Sequence, residues 1–287
     1  MAFDIYSAIT DRFIDQLEQG IIPWHKPWTG VQSGAVSGAT GKPYSLLNQM
    51  LLGKPGEWYT FPQIQKLGGK VRKGEKSSMV VFWKQMPITD TDPNTGEKVE
   101  RMIPMLKYFN VFHIDQTDGI EAKTIDPEAY DPATDGTADA IIAEYLQRSG
   151  VQLEHRKGDE AFYSPSSDKV VLPLREQFRE MAEYYSTAFH ELTHSTGHSS
   201  RLDRISRRAF FGNEEYSREE LVAEIGAAAL LNYCGIETGS SFRNSTAYIQ
   251  SWLRVLRNDK KMIVSASGAA AKAFELITGT GACAPAA

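Results

Sequence analysis

Two cysteines, Cys234 and Cys283, in a chain of 287 residues cannot build a disulfide framework, which points to a reduced, cytoplasmic setting. No apolar run reaches the ~20 residues that a membrane-spanning helix needs, so no membrane partner is expected. Met1-Ala2-Phe3-Asp4 is not a charged segment ahead of an apolar run, so no signal peptide is expected either. Positive charge is not in excess: the formal net charge of −5 argues against wholesale nucleic-acid affinity. The charge is uneven, however. Residues 1–120 hold 13 Lys+Arg against 12 Asp+Glu, and the remainder holds 18 against 24. The first part must therefore be read locally. There is no internal repeat. Hydrophobic residues make up 41% of the chain, enough for one large or two ordinary cores.

What the chain does contain is HExxH. In Phe189-His190-Glu191-Leu192-Thr193-His194 the two histidines fall one helical turn apart on the same face. Imidazoles so placed can share a metal ion, and Glu191 beside them can take a proton from a water that the ion acidifies. The apolar flanks Tyr184, Tyr185, Ala188, Phe189 and Leu192 predict a half-buried helix, with Gly197 as its stop. His198 then lies beyond the helix. A metzincin would carry a further histidine where Ser200 stands, so the third ligand must come from elsewhere. Ser217 to Leu231 reads as a second helix, with Ser217 and Glu220 as its capping box. Glu220 and Glu224, four apart, share a face. Glu220 is the expected ligand and Glu224 the residue that orients a histidine. If Glu220 is engaged in the cap, Glu224 takes the ligand's place. Zinc is the expected metal, with manganese as the divalent alternative.

Ahead of this, Ile5, Tyr6, Ile9, Phe13, Ile14 and Leu17 predict a helix over 3–20. Met79 to Trp83 and Met105 to Phe112 predict strands, with a turn at Asp92 to Gly96. Lys66, Lys70, Arg72, Lys73 and Lys76 form a basic segment before them. With Trp24, Trp28, Tyr44 and Trp58 as stacking rings, the segment suits single-stranded DNA. A peptide groove on the same tryptophans is the competing use. Gly119 to Thr137 carries five acids and one lysine and reads as a linker. Short strands follow at 151–154, 160–163 and 169–173. Val170, Val171 and Leu172 are the expected sheet edge for a bound peptide. Arg201, Arg204, Arg207 and Arg208 predict a solvated basic loop between the two metal helices. The helix at Ala266 to Ile277 is Ala-rich and weak in pattern.

These pieces together resemble the ArdC family of antirestriction proteins, also seen at the N-terminus of conjugative primases. The resemblance covers nearly the whole chain. It rests on Ile22-Pro23-Trp24, Pro27-Trp28, Trp58 to Phe61, Gly69 to Lys76 and Phe109 to Phe112 in the first half. In the second half it rests on Tyr163-x-Pro165, Phe189 to His194, Thr196 to His198, Arg201-Leu202-x-Arg204 and Glu219 to Glu224. One departure is Ser195, where a large aromatic residue would be expected in the cleft wall. The resemblance implies an α+β fold: a single-stranded-DNA-binding module over 1–120, an acidic linker over 121–137, a zincin-like metallopeptidase domain over 138–278 and a disordered tail over 279–287. It implies a protein of a mobile element that protects incoming DNA from restriction. A protein or peptide substrate would be the target of the peptidase, unless the metal only stabilises the fold.

Overall fold

The computed structural model describes residues 3–25, 34–91, 98–123, 135–205, 214–236 and 246–280. Helix α1 (Ile5–Glu18) begins where Asp4 accepts hydrogen bonds from the amides of Tyr6 at 3.0 Å and Ser7 at 3.3 Å. Such a cap satisfies donors that the first helical turn leaves orphaned. The helix buries Ile9, Phe13, Ile14 and Leu17, the stripe that its sequence spacing predicts.

β1 (Ala35–Ser37), α2 (Leu46–Leu52), β2 (Gly56–Thr60), α3 (Phe61–Lys66) and β3 (Lys70–Val71) follow. A long hairpin then forms from β4 (Ser78–Thr91) and β5 (Lys98–His113), paired Ser78 with Val111 through Thr91 with Lys98. The four-stranded sheet has the order β1-β2-β5-β4, with only β1 and β2 parallel. β6 (Thr117–Asp118) pairs with β3. Buried Asn48 locks α2 to the hairpin: its amide donates to the Val81 carbonyl and accepts from the Val81 amide, both at 2.8 Å. A buried amide paired this way avoids the desolvation cost of a lone polar group.

The second half contains α4 (Asp135–Ser149), β7 (Gln152–Arg156), β8 (Phe162–Ser164), β9 (Lys169–Pro173), α5 (Met181–Ser195), α6 (Glu214–Tyr233), α7 (Thr246–Asn258) and α8 (Met262–Thr278). Its sheet has the order β7-β9-β8. One core packs α4, β9, α5 and α6 around Tyr145, Leu172, Tyr184, Phe189 and Leu230.

A second core ignores the expected boundary between modules. Ile9, Phe13, Leu17, Trp24, Leu51, Val81 and Leu106 bury against Leu221, Ile225, Trp252, Leu256, Ile263 and Ala270. The N-terminal helix therefore packs on α7 and α8, and the turn that carries Trp24 packs on α6. The Ala-rich segment, weak in sequence, is a 17-residue helix inside this shared core. Small side chains there let neighbouring backbones approach closely. The turn at Asp92 to Gly96, most of the linker and most of the tail lie outside the described residues. No helix among the described residues is long and apolar enough to cross a membrane.

Candidate metal centre

Helix α5 carries HExxH as predicted. It ends at Ser195, so His198 lies past the helix, where its Nδ1 meets Ser200 Oγ at 2.8 Å. Gly197 plays a different part from the expected one. Its φ is not left-handed; rather, a Cβ there would come within 2.8 Å of Ile205. Two arginines close the helix end. Arg201 Nε donates to the Ser195 carbonyl at 2.8 Å, and Arg204 Nη2 donates to the Thr193 carbonyl at 3.0 Å. Cations at this end also suit the helix dipole. These two arginines are largely covered capping groups rather than parts of a solvated loop. Arg207 and Arg208 lie outside the described residues.

Helix α6 starts at Glu214, so Ser217 sits inside it and is no N-cap. Glu220 is thereby released from the predicted capping box. Its carboxylate faces both imidazoles: Oε1 lies 3.4 Å from His194 Nε2, and Oε2 lies 3.7 Å from His190 Nε2. The two Nε2 atoms are 3.1 Å apart. Three donors at 2.0–2.1 Å from a tetrahedral zinc would be separated by ~3.4 Å. The observed separations of 3.1 Å between the imidazoles and of 3.4 and 3.7 Å from each imidazole to its nearer Glu220 oxygen lie around that value. His190, His194 and Glu220 thus fit a divalent ion.

The outward-facing nitrogens have their own carboxylates. His190 Nδ1 lies 4.0 Å from Glu224 Oε1, and His194 Nδ1 lies 3.4 Å from Glu219 Oε1. Glu219 was not anticipated as a site residue. Arg204 holds it through Nε at 3.1 Å and Nη2 at 2.8 Å. The post-helical arginines signal a C-cap in sequence, but nothing there pairs Arg204 with Glu219. Burial opposes charge on His194, yet hydrogen bonds to Glu219 and Glu220 and the nearby Glu191 outweigh it and lift its pKa to about 10. Burial likewise raises the Glu220 carboxyl, but its hydrogen bonds to His190 and His194 carry it well below the usual range. The pocket is thus tuned to hold positive charge. Glu191 is buried, feels His194 electrostatically, and makes no hydrogen bond or ion pair among the described residues.

Two further expectations change. β9 is the central strand, paired with β7 on one side and β8 on the other, so Val170, Val171 and Leu172 offer no free edge. Ser195 is no cleft wall: it is fully buried, with Oγ 2.8 Å from the Tyr145 hydroxyl and 2.7 Å from the Leu192 carbonyl.

The basic segment is exposed at Lys66, Lys70, Arg72, Lys73 and Lys76. Arg72 is partly engaged, donating to the Asp115 carbonyl and pairing with Glu75 at 3.5 Å. The expected stacking rings are not on the surface. Trp24, Tyr44 and Trp58 are only 2%, 7% and 4% exposed, and Trp24 packs edge-on against Trp252. A ring in a shared core cannot take a base. Trp28 lies outside the described residues. An exposed ring close in sequence to this segment is Phe61, at the start of α3, 48% exposed and 6.5 Å from Phe112.

Known proteins of the same architecture carry matching parts. A family model described as the N-terminal domain of anti-restriction factor ArdC matches residues 3–112, and one described as a zincin-like metallopeptidase matches residues 139–269. The metal-free crystal structure of the antirestriction protein ArdC from plasmid R388 superposes with a TM-score of 0.75 at 38% identity, covering 96% of this chain and 97% of that one. Its Mn(II)-bound structure gives the same TM-score at 36% identity, covering 96% and 98%. Among curated proteins, a DNA primase TraC of Escherichia coli is 34% identical over 293 residues, which is 95% of this chain but 20% of the primase. The chain therefore spans about a fifth of that relative's length. The uncharacterized protein y4eC of Sinorhizobium fredii (strain NBRC 101917 / NGR234) is 31% identical over 284 residues, 93% of this chain and 89% of y4eC.

Proposed function

The chain belongs to the ArdC family of antirestriction proteins, and from that premise we propose that it grips incoming single-stranded DNA of a mobile element, protects it from restriction, and hydrolyses a peptide bond at a zinc centre. The observation that carries the hydrolytic part is the Glu220 carboxylate facing both imidazoles, with Oε1 3.4 Å from His194 Nε2, Oε2 3.7 Å from His190 Nε2, and the two Nε2 atoms 3.1 Å apart. Among the described residues three protein donors converge, the number of a catalytic site, and two imidazoles with a carboxylate suit zinc.

A divalent ion held there supplies Lewis acidity, lowering the pKa of water towards neutrality. The chain supplies the remainder. Glu191, buried without a fixed partner, accepts the proton at its carboxylate. Glu219 accepts the Nδ1 proton of His194, and the Glu224 carboxylate, 4.0 Å from His190 Nδ1, favours the same orientation of the second ring, so that both Nε2 lone pairs turn inward. A peptide would join the sheet at β8, the edge strand packed on α5, with Phe162 at its start. On the DNA side, Lys66, Lys70, Lys73 and Lys76 attract phosphates, and Phe61 with Phe112 replaces the buried tryptophans as the stacking surface.

Glu191→Gln tests the hydrolytic step. The variant should bind metal as the wild type does and lose peptide cleavage. If the variant still cleaves peptide, the hydrolytic part of the reading is wrong; if antirestriction in a conjugation assay survives the loss of cleavage, the hydrolytic step is dispensable for protection. Charge reversal at Lys70 and Lys73 should weaken oligonucleotide binding and flatten its salt dependence.

A further inference from the structure

A groove of about 640 Å³ runs between the two halves of the molecule, away from the basic turn. Its walls come from α1 (Tyr6), β4 (Trp83), the segment after α5 (Arg204), Lys261 just ahead of α8, and Lys272 within α8. Among the described residues, no acidic side chain lines it. On the same face of the hairpin, Val81 and Leu106 are buried in the shared core, and Leu106 is the cross-strand partner of Trp83. Trp83 ends this buried row, yet its indole is 53% exposed. The core that covers its neighbours stops short of it.

The cations have complementary arrangements. Lys261 and Lys272 are exposed and, among the described residues, neither ammonium forms an ion pair. Lys261 Nζ sits 5.5 Å from the centroid of the Tyr6 ring. Arg204 contributes charge, although its donors are occupied by Glu219, Thr196 and the Thr193 carbonyl. A large ring left half in solvent beside two unpaired ammonium groups needs a ligand with both a flat apolar face and negative charge.

We infer that this groove is a second contact for single-stranded nucleic acid, in which a base stacks on Trp83 while Lys261 and Lys272 hold the flanking phosphates. Stacking plus backbone charge is how unpaired strands are gripped without sequence readout. A duplex keeps its base faces covered and could not use the indole. An acidic peptide would use the lysines but not the ring. The inference rests on the single-stranded-DNA reading above and extends it: the grip spans both halves of the chain instead of residing in the N-terminal module alone.

The test uses the full-length protein with labelled oligothymidylate. Trp83→Ala should weaken binding about fivefold to a hundredfold, the loss of one stacked base. The double variant Lys261→Gln, Lys272→Gln should lower the slope of log affinity against log salt by about 1.4, two phosphate contacts at ~0.7 each. All three positions are on the surface, and unchanged circular dichroism and metal content would confirm intact folding. Oligonucleotides carrying 5-iododeoxyuridine should crosslink to the Trp83 peptide. If Trp83→Ala and the double variant bind like wild type while the basic-turn variants do not, the groove is overturned and the DNA reading stands. Equal loss of a polyglutamate peptide and of oligonucleotide in the double variant, with no effect of Trp83→Ala, overturns it in favour of an acidic peptide. If wild type binds no single strand, the DNA reading itself falls, and the groove with it.

Discussion

Arg204 grips Glu219 with two nitrogens, Nε on Oε2 at 3.1 Å and Nη2 on Oε1 at 2.8 Å, and Glu219 in turn faces His194 Nδ1 at 3.4 Å. The same guanidinium closes the end of α5 through the Thr193 carbonyl. One side chain therefore secures both the end of the metal helix and the carboxylate behind its second histidine. Removing a group that orients a metal-bound imidazole costs roughly tenfold to a hundredfold in metal affinity. Glu219→Gln should lose that much in a chelator competition, with unchanged circular dichroism. An unaltered affinity would mean that Glu219 only packs.

The two carboxylates of α6 that share a face should separate in the same assay. Glu220 meets both Nε2 atoms, whereas Glu224 lies 4.0 Å from the outer nitrogen of His190. Glu220→Ala should abolish stoichiometric metal uptake. Glu224→Ala should keep the ion at reduced affinity. In the wild type, metal at a hundred times its Kd should stabilise the fold by about 2.7 kcal/mol, read as a rise in Tm. That rise should vanish in Glu220→Ala. The reverse pattern would make Glu224 the ligand.

Helices α5 and α6 can approach this closely because of Gly226. A Cβ at that position would lie 2.6 Å from Thr193 Cγ2, so any side chain forces the helices apart. Glycine inside a helix carries a propensity cost of about 1 kcal/mol relative to alanine, which the close approach offsets. Gly226→Val should destabilise by about 1–3 kcal/mol through overpacking. It should also weaken metal binding, because Glu220 would retreat from the histidines. A variant with full metal affinity would separate the helix contact from the site.

Acid should weaken the segment that leads out of α5. The buried Arg201 guanidinium donates to Asp168, and the Tyr163 hydroxyl donates to the same carboxylate at 2.7 Å. The hydrogen bond from Arg201, opposed by burial and helped by Tyr163, holds the Asp168 carboxyl below its usual value of 3.8. A depressed folded pKa means that the stabilisation is complete above the unfolded value and is lost as pH falls through the folded one. Stability measured by urea titration should therefore decline below about pH 4. Asp168→Asn should remove this part of the decline and cost ~2–3 kcal/mol at neutral pH, since it strands a buried arginine beside a partly exposed partner. An identical acid profile in the variant would place the effect elsewhere.

Much of this was legible in the sequence because it depends on local periodicity. Spacing of four within a helix brings His190 and His194 together wherever that helix lies. The stripe of α1, the strands of the hairpin and the two metal helices are likewise set by residues close in the chain. Burial of aromatic rings is not a local property. Trp24 and Trp58 looked like exposed stacking rings because nothing near them in sequence shows what covers them. Trp24 is covered by Trp252, more than two hundred residues away.

The chain alone, then, determined the helix that bears HExxH and the candidates for a third ligand, since both follow from short-range spacing and residue chemistry. Tertiary structure set Glu220 against both Nε2 atoms, brought Glu219 under Arg204, made β9 a central strand, buried Trp24 and Trp58, and left Phe61 and Trp83 exposed. Each of these depends on which distant surfaces meet. That choice is made by burying apolar area across the whole chain, so no window of neighbouring residues contains it.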